Sequence, residues 1–284
     1  MKKVISCLLT LILLFNFTNL IYAENKAKVH FVQVGIGSST LMQIKYDYID
    51  NDINALIDGG LDKNKITDYL KKIKLKSLDN IFISSFEKSS FVGLERAFKE
   101  IKLNLDIPYF PKFYGFVESE EYIKFKESSL KSLNTTITAG MNLTLNDNIS
   151  RPISTGAGAV AVDFQVMEGS KGLFYVICIE DTVVILLNNL SEELQSKINF
   201  DFLKGKKNII LEVSNWNDKA NIKKEILEKI NPSHVIISNI QKNINTDMLK
   251  LLEDKKIKVL RTDKNGNIVL HMDEKGFNFT MDYK

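Results

Sequence analysis

Between Ile81 and Leu94 the chain reads IFISSFEKSSFVGL, placing the hydroxyls of Ser85, Ser89 and Ser90 and the carboxylate of Glu87 in one short loop. Such groups do chemistry only with partners, a base for a serine or further ligands for a metal-binding carboxylate. A Ser-His-Asp arrangement needs a histidine brought to a serine on a sharp turn. The three histidines are poorly placed for that: His30 is in the first strand, His234 begins a late strand and His271 lies near the end. Each reads as a packed or edge-strand residue. GIGSS at 35–39 supplies a glycine turn but not the flanking glycine pattern of a nucleophile elbow, so serine hydrolysis is rejected. Cys178, within LFYVICIE, reads as a small buried hydrophobe rather than a nucleophile.

The elements that must position this loop alternate between strands and helices. Asn80 to Ile83 is expected as a buried strand running into the loop. SSFVGLERAFKEI is expected as an amphipathic helix capped by Ser89 or Ser90. Upstream, Val29–Val34 and Thr40–Tyr46 alternate as strands about the Gly35 and Gly37 turn, and NALIDGG is a third strand ending at paired glycines. Ile66, Leu70 and Ile73 mark one face of a helix. LDIPYFP is a short strand, Glu118–Leu133 a helix, and Thr135–Phe164 either an irregular β insertion or a joint between halves. Strands return at DFQVME, LFYVICIE and TVVILL, with hairpin connections. SEELQSKI follows as a helix capped by Ser191, KNIILEV as a strand, and a helix capped by Asn217 or Asp218 ends at Asn231-Pro232. HVIIS is a strand and NTDMLKLLEDKK a helix. IKVLRT, GNIVLHM and GFNFTMDY are expected to close the chain as a meander. This grammar fits an α/β (α+β) fold with two sheets and helices outside, a four-layer αββα sandwich.

The 284 residues begin with a secretory pattern: Lys2 and Lys3, the apolar VISCLLTLILLFNF, and IYA before Glu24. Asn16, Thr18 and Asn19 interrupt the apolar run, which falls short of the ~20 residues a membrane span needs. Residues 1–23 are therefore expected to be a signal peptide, with cleavage after Ala23 and the product secreted or at the cell surface. Residues 24–284 are expected to form a single domain, with a possible irregular insertion at 135–163. A chain of that size buries roughly 75% of its unfolded surface. Only Cys178 remains after cleavage, which excludes an intramolecular disulfide. With 38 basic and 35 acidic residues, two of the lysines in the leader, charge is nearly balanced; a general nucleic-acid binder is unexpected. The lysines between Lys63 and Lys76 read as the solvated face of a helix rather than a phosphate-facing patch.

Five segments, in order, resemble the metallo-β-lactamase fold, in the branch of the hydrolase-like domain of ComEC-type DNA-uptake proteins. VHFVQVGIGSSTLMQ is similar to that family's opening VxFxDVGQGDSxLI, and ALIDGG to its xLIDGG. LKSLDNIFISS resembles the strand entering its metal loop. KINPSHVIIS and IKVLRTDKNGNIVL resemble its closing segments. The likeness runs from Val29 to about Leu270 and is weakest between Ile101 and Phe164. In active members the loop reads HxHxDH and, with later ligands, holds two metal ions, usually zinc or manganese. The resemblance puts those ligand positions on Ser85, Glu87, Ser89 and Ser90. It puts the later bridging aspartate on Asn189 and the paired histidines of KVGHHGS on Asn215 and Trp216; the aspartate of GQGD falls on Ser38. Asp58 of LIDGG is kept, and in the family is mainly structural.

A hydrolytic metal site needs three or more imidazole or carboxylate ligands to bind the ion and acidify its water. Neutral hydroxyls and amides do not replace them, and Glu87 alone cannot assemble a site. No metal cofactor is therefore expected. The expected function is a binding or interaction module for a protein or small-molecule ligand at Ser85, Glu87, Ser89, Asn189, Asn215 and Trp216. Two other readings stand beside it. One is a divergent phosphodiesterase-like hydrolase drawing zinc or manganese ligands from Glu87, Asp58 or Asp181. The other is a DNA-uptake accessory, resting on fold analogy alone.

Overall fold

The computed structural model describes residues 27–45, 53–103, 108–111, 118–129, 135–137, 142–145, 162–168, 173–187, 198–214, 222–238, 245–273 and 276–282. Strands β1 (Ala27–Phe31), β2 (Thr40–Ile44) and β3 (Ile53–Ile57) form an antiparallel meander. Helix α1 (Lys65–Lys72) follows, then β4 (Ser77–Leu78) and β5 (Asn80–Phe82). The chain continues through α2 (Lys88–Phe91), α3 (Leu94–Glu100), β6 (Lys102–Leu103), β7 (Pro108–Pro111), α4 (Glu120–Ser129) and β8 (Thr135–Ile137). A second run comprises β9 (Asn142–Leu145), β10 (Val162–Glu168), β11 (Leu173–Ile179), β12 (Thr182–Leu187) and β13 (Asn208–Val213). It continues with α5 (Lys224–Ile230), β14 (His234–Ile237), α6 (Thr246–Asp254) and β15 (Lys258–Arg261). Helix α7 (Thr262–Asn265), β16 (Asn267–Asp273) and β17 (Gly276–Asp282) end it.

Among the described residues one sheet has the order β17-β16-β1-β2-β3-β5-β7-β8 and the other β15-β14-β13-β12-β11-β10-β9. Strand periodicity explains how they stack. In β11, Leu173, Tyr175, Ile177 and Ile179 meet Val29, Phe31, Met42 and Phe82 between the sheets, while Phe174, Val176 and Cys178 face away. The outer face of that second sheet is covered by Ile226, Leu227 and Ile230 of α5 and by Met248 and Leu252 of α6. On the first sheet, Leu41, Leu56 and Ile81 pack outward against Ile66 and Leu70 of α1, Leu94 and Ala97 of α3, and Tyr122 and Phe125 of α4. Three apolar layers between four structural layers make this an αββα sandwich. Cys178 is buried, as its apolar run predicts.

Several sequence expectations require correction. The SSFVGLERAFKEI segment is two helices broken at Val92-Gly93, and the residue preceding the first is Glu87; Ser90 lies inside a helix rather than at a cap. The break arises because Gly93 N donates to Gly60 O at 2.9 Å, a bond to a neighbouring loop that an uninterrupted helix would forbid. The helix expected to start at Asn217 or Asp218 begins at Lys224, although its end at Asn231, in left-handed conformation, is as expected. The closing meander is divided between sheets. Strand β15 runs parallel to β14, and DKNG belongs to the turn of α7, which carries the chain across to β16. That crossing is fixed by Thr262 Oγ1 donating to Ser238 O at 2.8 Å and Arg261 N donating to Asn265 Oδ1 at 2.8 Å. In the 135–164 region, β8 edges the first sheet while β9 and β10 edge the second. The proposed SEELQSKI helix lies outside the described residues up to Ile198.

His30 is buried on the outer face of β1, with its Nδ1 2.7 Å from the Tyr69 hydroxyl. Burial, and then the charge of Lys28, push its pKa down to about 4. The unfolded chain takes up this proton near pH 6.5, so the stabilising effect is complete above that pH and is lost as pH falls towards 4. We expect the stability difference between wild type and His30→Gln to move by about 3 kcal/mol between pH 7 and pH 4, measured by urea unfolding. Parallel curves would refute it.

Candidate functional site

Strand β3 ends at Ile57, and the next residue, Asp58, has a left-handed backbone (φ 55°) and a carbonyl that accepts from Ser39 Oγ at 2.9 Å. That twist turns the carboxyl inward, where Ser84 N donates to Oδ1 at 2.7 Å and Ser84 Oγ bonds Oδ2. The hydroxyls then continue as a chain. Ser84 Oγ lies 3.3 Å from Ser90 Oγ, Ser90 Oγ lies 2.7 Å from Ser85 Oγ, and Glu87 N donates to Ser85 Oγ at 3.2 Å. Ser84, Ser85 and Ser90 are buried; Glu87 and Ser89 are half-buried at the rim.

The chain's neighbours hold the loop closely. Gly59 N donates to Ser90 O at 2.9 Å, and a Cβ on Gly93 would stand 2.0 Å from Gly59 O, so two backbones cross where no side chain fits. Behind the loop, Phe86 and Phe91 pack on Tyr122 of α4 with ring centres 4.7 Å and 5.4 Å apart. From the second sheet, Tyr175 OH donates to Ile83 O at 3.1 Å and Leu173 N donates to Ser84 O at 2.7 Å. These bonds tie the two sheets together at the loop.

Glu212 was not singled out by the sequence pattern, yet it belongs here. It stands two residues beyond Ile210, on the inter-sheet face of β13, and Ser238 Oγ donates to its carboxyl. Asp58 is 2% exposed and Glu212 1%. Burial raises the Asp58 pKa to about 7 against the hydrogen bonds from Ser84 and Ser90 that favour its ionised form. Burial likewise raises Glu212 to about 8, with Ser238 opposing and the Asp58 carboxyl adding to the rise. The sequence signal for Glu212 is a carboxylate inside the apolar run NIILEV, in register with a core isoleucine.

Of the sequence candidates, Ser85, Glu87, Ser89, Ser90 and Asp58 come together as described. Asn189, Asn215 and Trp216 lie outside the described residues. Asp58, expected beside the site as a structural residue, anchors its hydroxyl chain. Asp181 does not join them. It precedes β12 at the opposite end of the second sheet from Glu212, beside Lys207 at 3.4 Å. The divergent-hydrolase ligand set of Glu87, Asp58 and Asp181 is therefore not assembled.

A metal does not fit the described donors. The Ser85 and Ser90 hydroxyls are engaged with one another, and neutral hydroxyls are poor ligands for zinc. Among the described residues no three His, Cys, Asp or Glu side chains are grouped so as to hold an ion. No helix among them is long and apolar enough to cross a membrane.

Neither a family model nor a curated protein matches the sequence. Solved structures do resemble it. A mutant of CmlA β-hydroxylase aligns with a TM-score of 0.56 at 10% identity, covering 87% of this chain and 54% of that one. The chain thus spans about half of that protein's length. A diphosphatase of the PhnP family aligns at 0.48 with 10% identity, covering 82% of this chain and 94% of its own. A zinc-dependent hydrolase of the metallo-β-lactamase superfamily, so described from Thermotoga maritima, aligns at 0.36 with 12% identity, covering 82% and 98%. The architecture that the CmlA structure shares over most of this chain is a mixed α/β sandwich. At such identities the likeness speaks for architecture alone.

Proposed function

We propose that this chain is a non-catalytic relative of the metallo-β-lactamase hydrolases, from the ComEC-like branch, that works as a binding module. In this reading the leader directs it out of the cell, and the mouth around Ser85, Glu87 and Ser89 receives a protein or small-molecule ligand. The observation that carries the reading is the 2.7 Å bond between Ser85 and Ser90: two ligand-equivalent positions carry neutral hydroxyls that satisfy each other. Ile36, 48% exposed between two glycines, adds an apolar contact at the rim, where its carbonyl accepts Leu61 N at 2.9 Å. Near-neutral overall charge favours such a ligand over nucleic acid.

The test is elemental analysis of protein purified without chelators, paired with turnover of a generic phosphodiester in added Mn²⁺ or Zn²⁺. Less than about 0.1 equivalent of transition metal and no rate above background are expected, because no described ligand set acidifies a bound water. Two stoichiometric ions, or metal-dependent turnover, would overturn the reading in favour of a divergent hydrolase.

A further inference from the structure

We propose that the Gly35–Ile36–Gly37 turn and the Lys65 ammonium form one side of the mouth and receive a carboxylate carried on an apolar chain. The inference deepens the binding reading above and rests on it for the place of the site. The turn is built into the rim. A Cβ on Gly37 would stand 2.4 Å from Ser89 O, so its backbone lies directly against the serine loop. Ile36 O accepts Leu61 N at 2.9 Å, which ties the turn to the segment leading into α1. A Cβ on Gly35 would stand 3.3 Å from Lys65 Nζ, so the head of that lysine lies over the turn. Ile36, between the two glycines, is the most exposed large apolar side chain among the described residues.

Charge defines the ligand. The basic residues that flank Lys65 along the chain and on the neighbouring helices meet carboxylates. Lys63 meets Glu95 at 3.0 Å, Lys88 meets Glu121 at 3.0 Å and Arg96 meets Asp68 at 2.8 Å. Lys71 and Lys72 pair with Glu100 and Asp282. Lys65 reaches the neutral Gln33 Oε1 instead, at 3.4 Å, and Gln33 is itself fixed by its amide donating to Asn267 Oδ1 at 2.9 Å. A half-buried cation beside an exposed isoleucine suits an anion with an apolar neighbour. The apolar part covers Ile36 and excludes water from the ion pair, which strengthens it. One ammonium balances one negative charge. The entry to α1 adds nothing for a phosphate, because the Asp62 carboxylate already occupies it, accepting Asn64 N at 2.9 Å and Lys65 N at 3.4 Å. A carboxylate is therefore the anion that matches.

The experiment is a titration of the full chain with sodium hexanoate, followed by the amide resonances of Gly35, Ile36 and Gly37 and the Ile36 methyls. Acetate and hexyltrimethylammonium are the controls. Hexanoate is expected to give saturable shifts at these residues and at Ser89, with a Kd on the order of millimolar, and each control to bind at least about fivefold more weakly. Lys65→Gln should weaken hexanoate by about threefold or more, Lys65→Arg should hold it within about twofold, and Ile36→Ser should weaken it by about fivefold. An equal response to the cation, shifts centred elsewhere on the chain, or unchanged affinity in Lys65→Gln or Ile36→Ser would each overturn the inference. Those failures leave the non-catalytic reading standing, which metal content and turnover decide separately. Should Ile36→Ser not fold, Lys65→Gln and the comparison of hexanoate with the cation still decide.

Discussion

Replacing Glu212 with glutamine is expected to make the protein more stable in alkali than the wild type, by about 4 kcal/mol at pH 9 relative to the difference at pH 4.5. The direction follows from the raised folded pKa of about 8 against an ordinary 4.5. The stabilising contribution of such a group is fully present below its unfolded pKa and is lost as pH rises through the folded one. In the unfolded chain the carboxyl sheds its proton near pH 4.5, while the folded protein must retain it or bury a charge. Glutamine removes the proton from the balance and keeps an oxygen for Ser238 Oγ to donate to. Asp58→Asn is expected to behave in the same sense over a window from about pH 4 to pH 7, and asparagine tolerates the left-handed backbone there. Urea unfolding at pH 4.5, 7 and 9 measures this; wild-type and variant curves that run parallel would show that neither carboxyl is held protonated.

Gly93→Ala is expected to destabilise the protein by on the order of 4 kcal/mol, or to prevent folding. The new methyl would lie 2.0 Å from Gly59 O and 2.7 Å from its carbonyl carbon. Those are backbone atoms, fixed by Gly59 N donating to Ser90 O and Gly93 N donating to Gly60 O, so no side-chain rotation relieves the clash. Gly205→Ala is the control. Its φ of +75° costs about 1 kcal/mol, but nothing lies within 4 Å of its added methyl. Equal losses at the two positions, by thermal or urea unfolding, would show that the crossing is looser than its geometry indicates.

Both outcomes depend on contacts that are remote in sequence, which is also where sequence reasoning falls short. Strand and helix burial was legible because its signals are local: the unbroken apolar runs of β11 and β12 and the spacing of Ile66 and Leu70 report it directly. Helix limits were less so. Ser90 carries good capping chemistry, but its environment draws it into a hydroxyl chain and a loop crossing instead, and Glu87 precedes the helix. The closing strands likewise have hairpin-like turns, yet β15 pairs with β14 because the buried inter-sheet surface, not turn propensity, sets which sheet receives a strand.

From its residues alone the chain determined two sheets with outer helices, a glycine-marked turn after Asp58, and a loop bearing serines at positions that the resemblance gives to metal ligands. Only the tertiary structure decided that Glu212 is buried between the sheets beside Ser238, and that Ser84 rather than Glu87 holds the buried Asp58 carboxyl. The reason is physical. Hydrophobic period and turn chemistry are written along the chain, whereas the desolvation of a buried acid exists only after the sheets have closed on it.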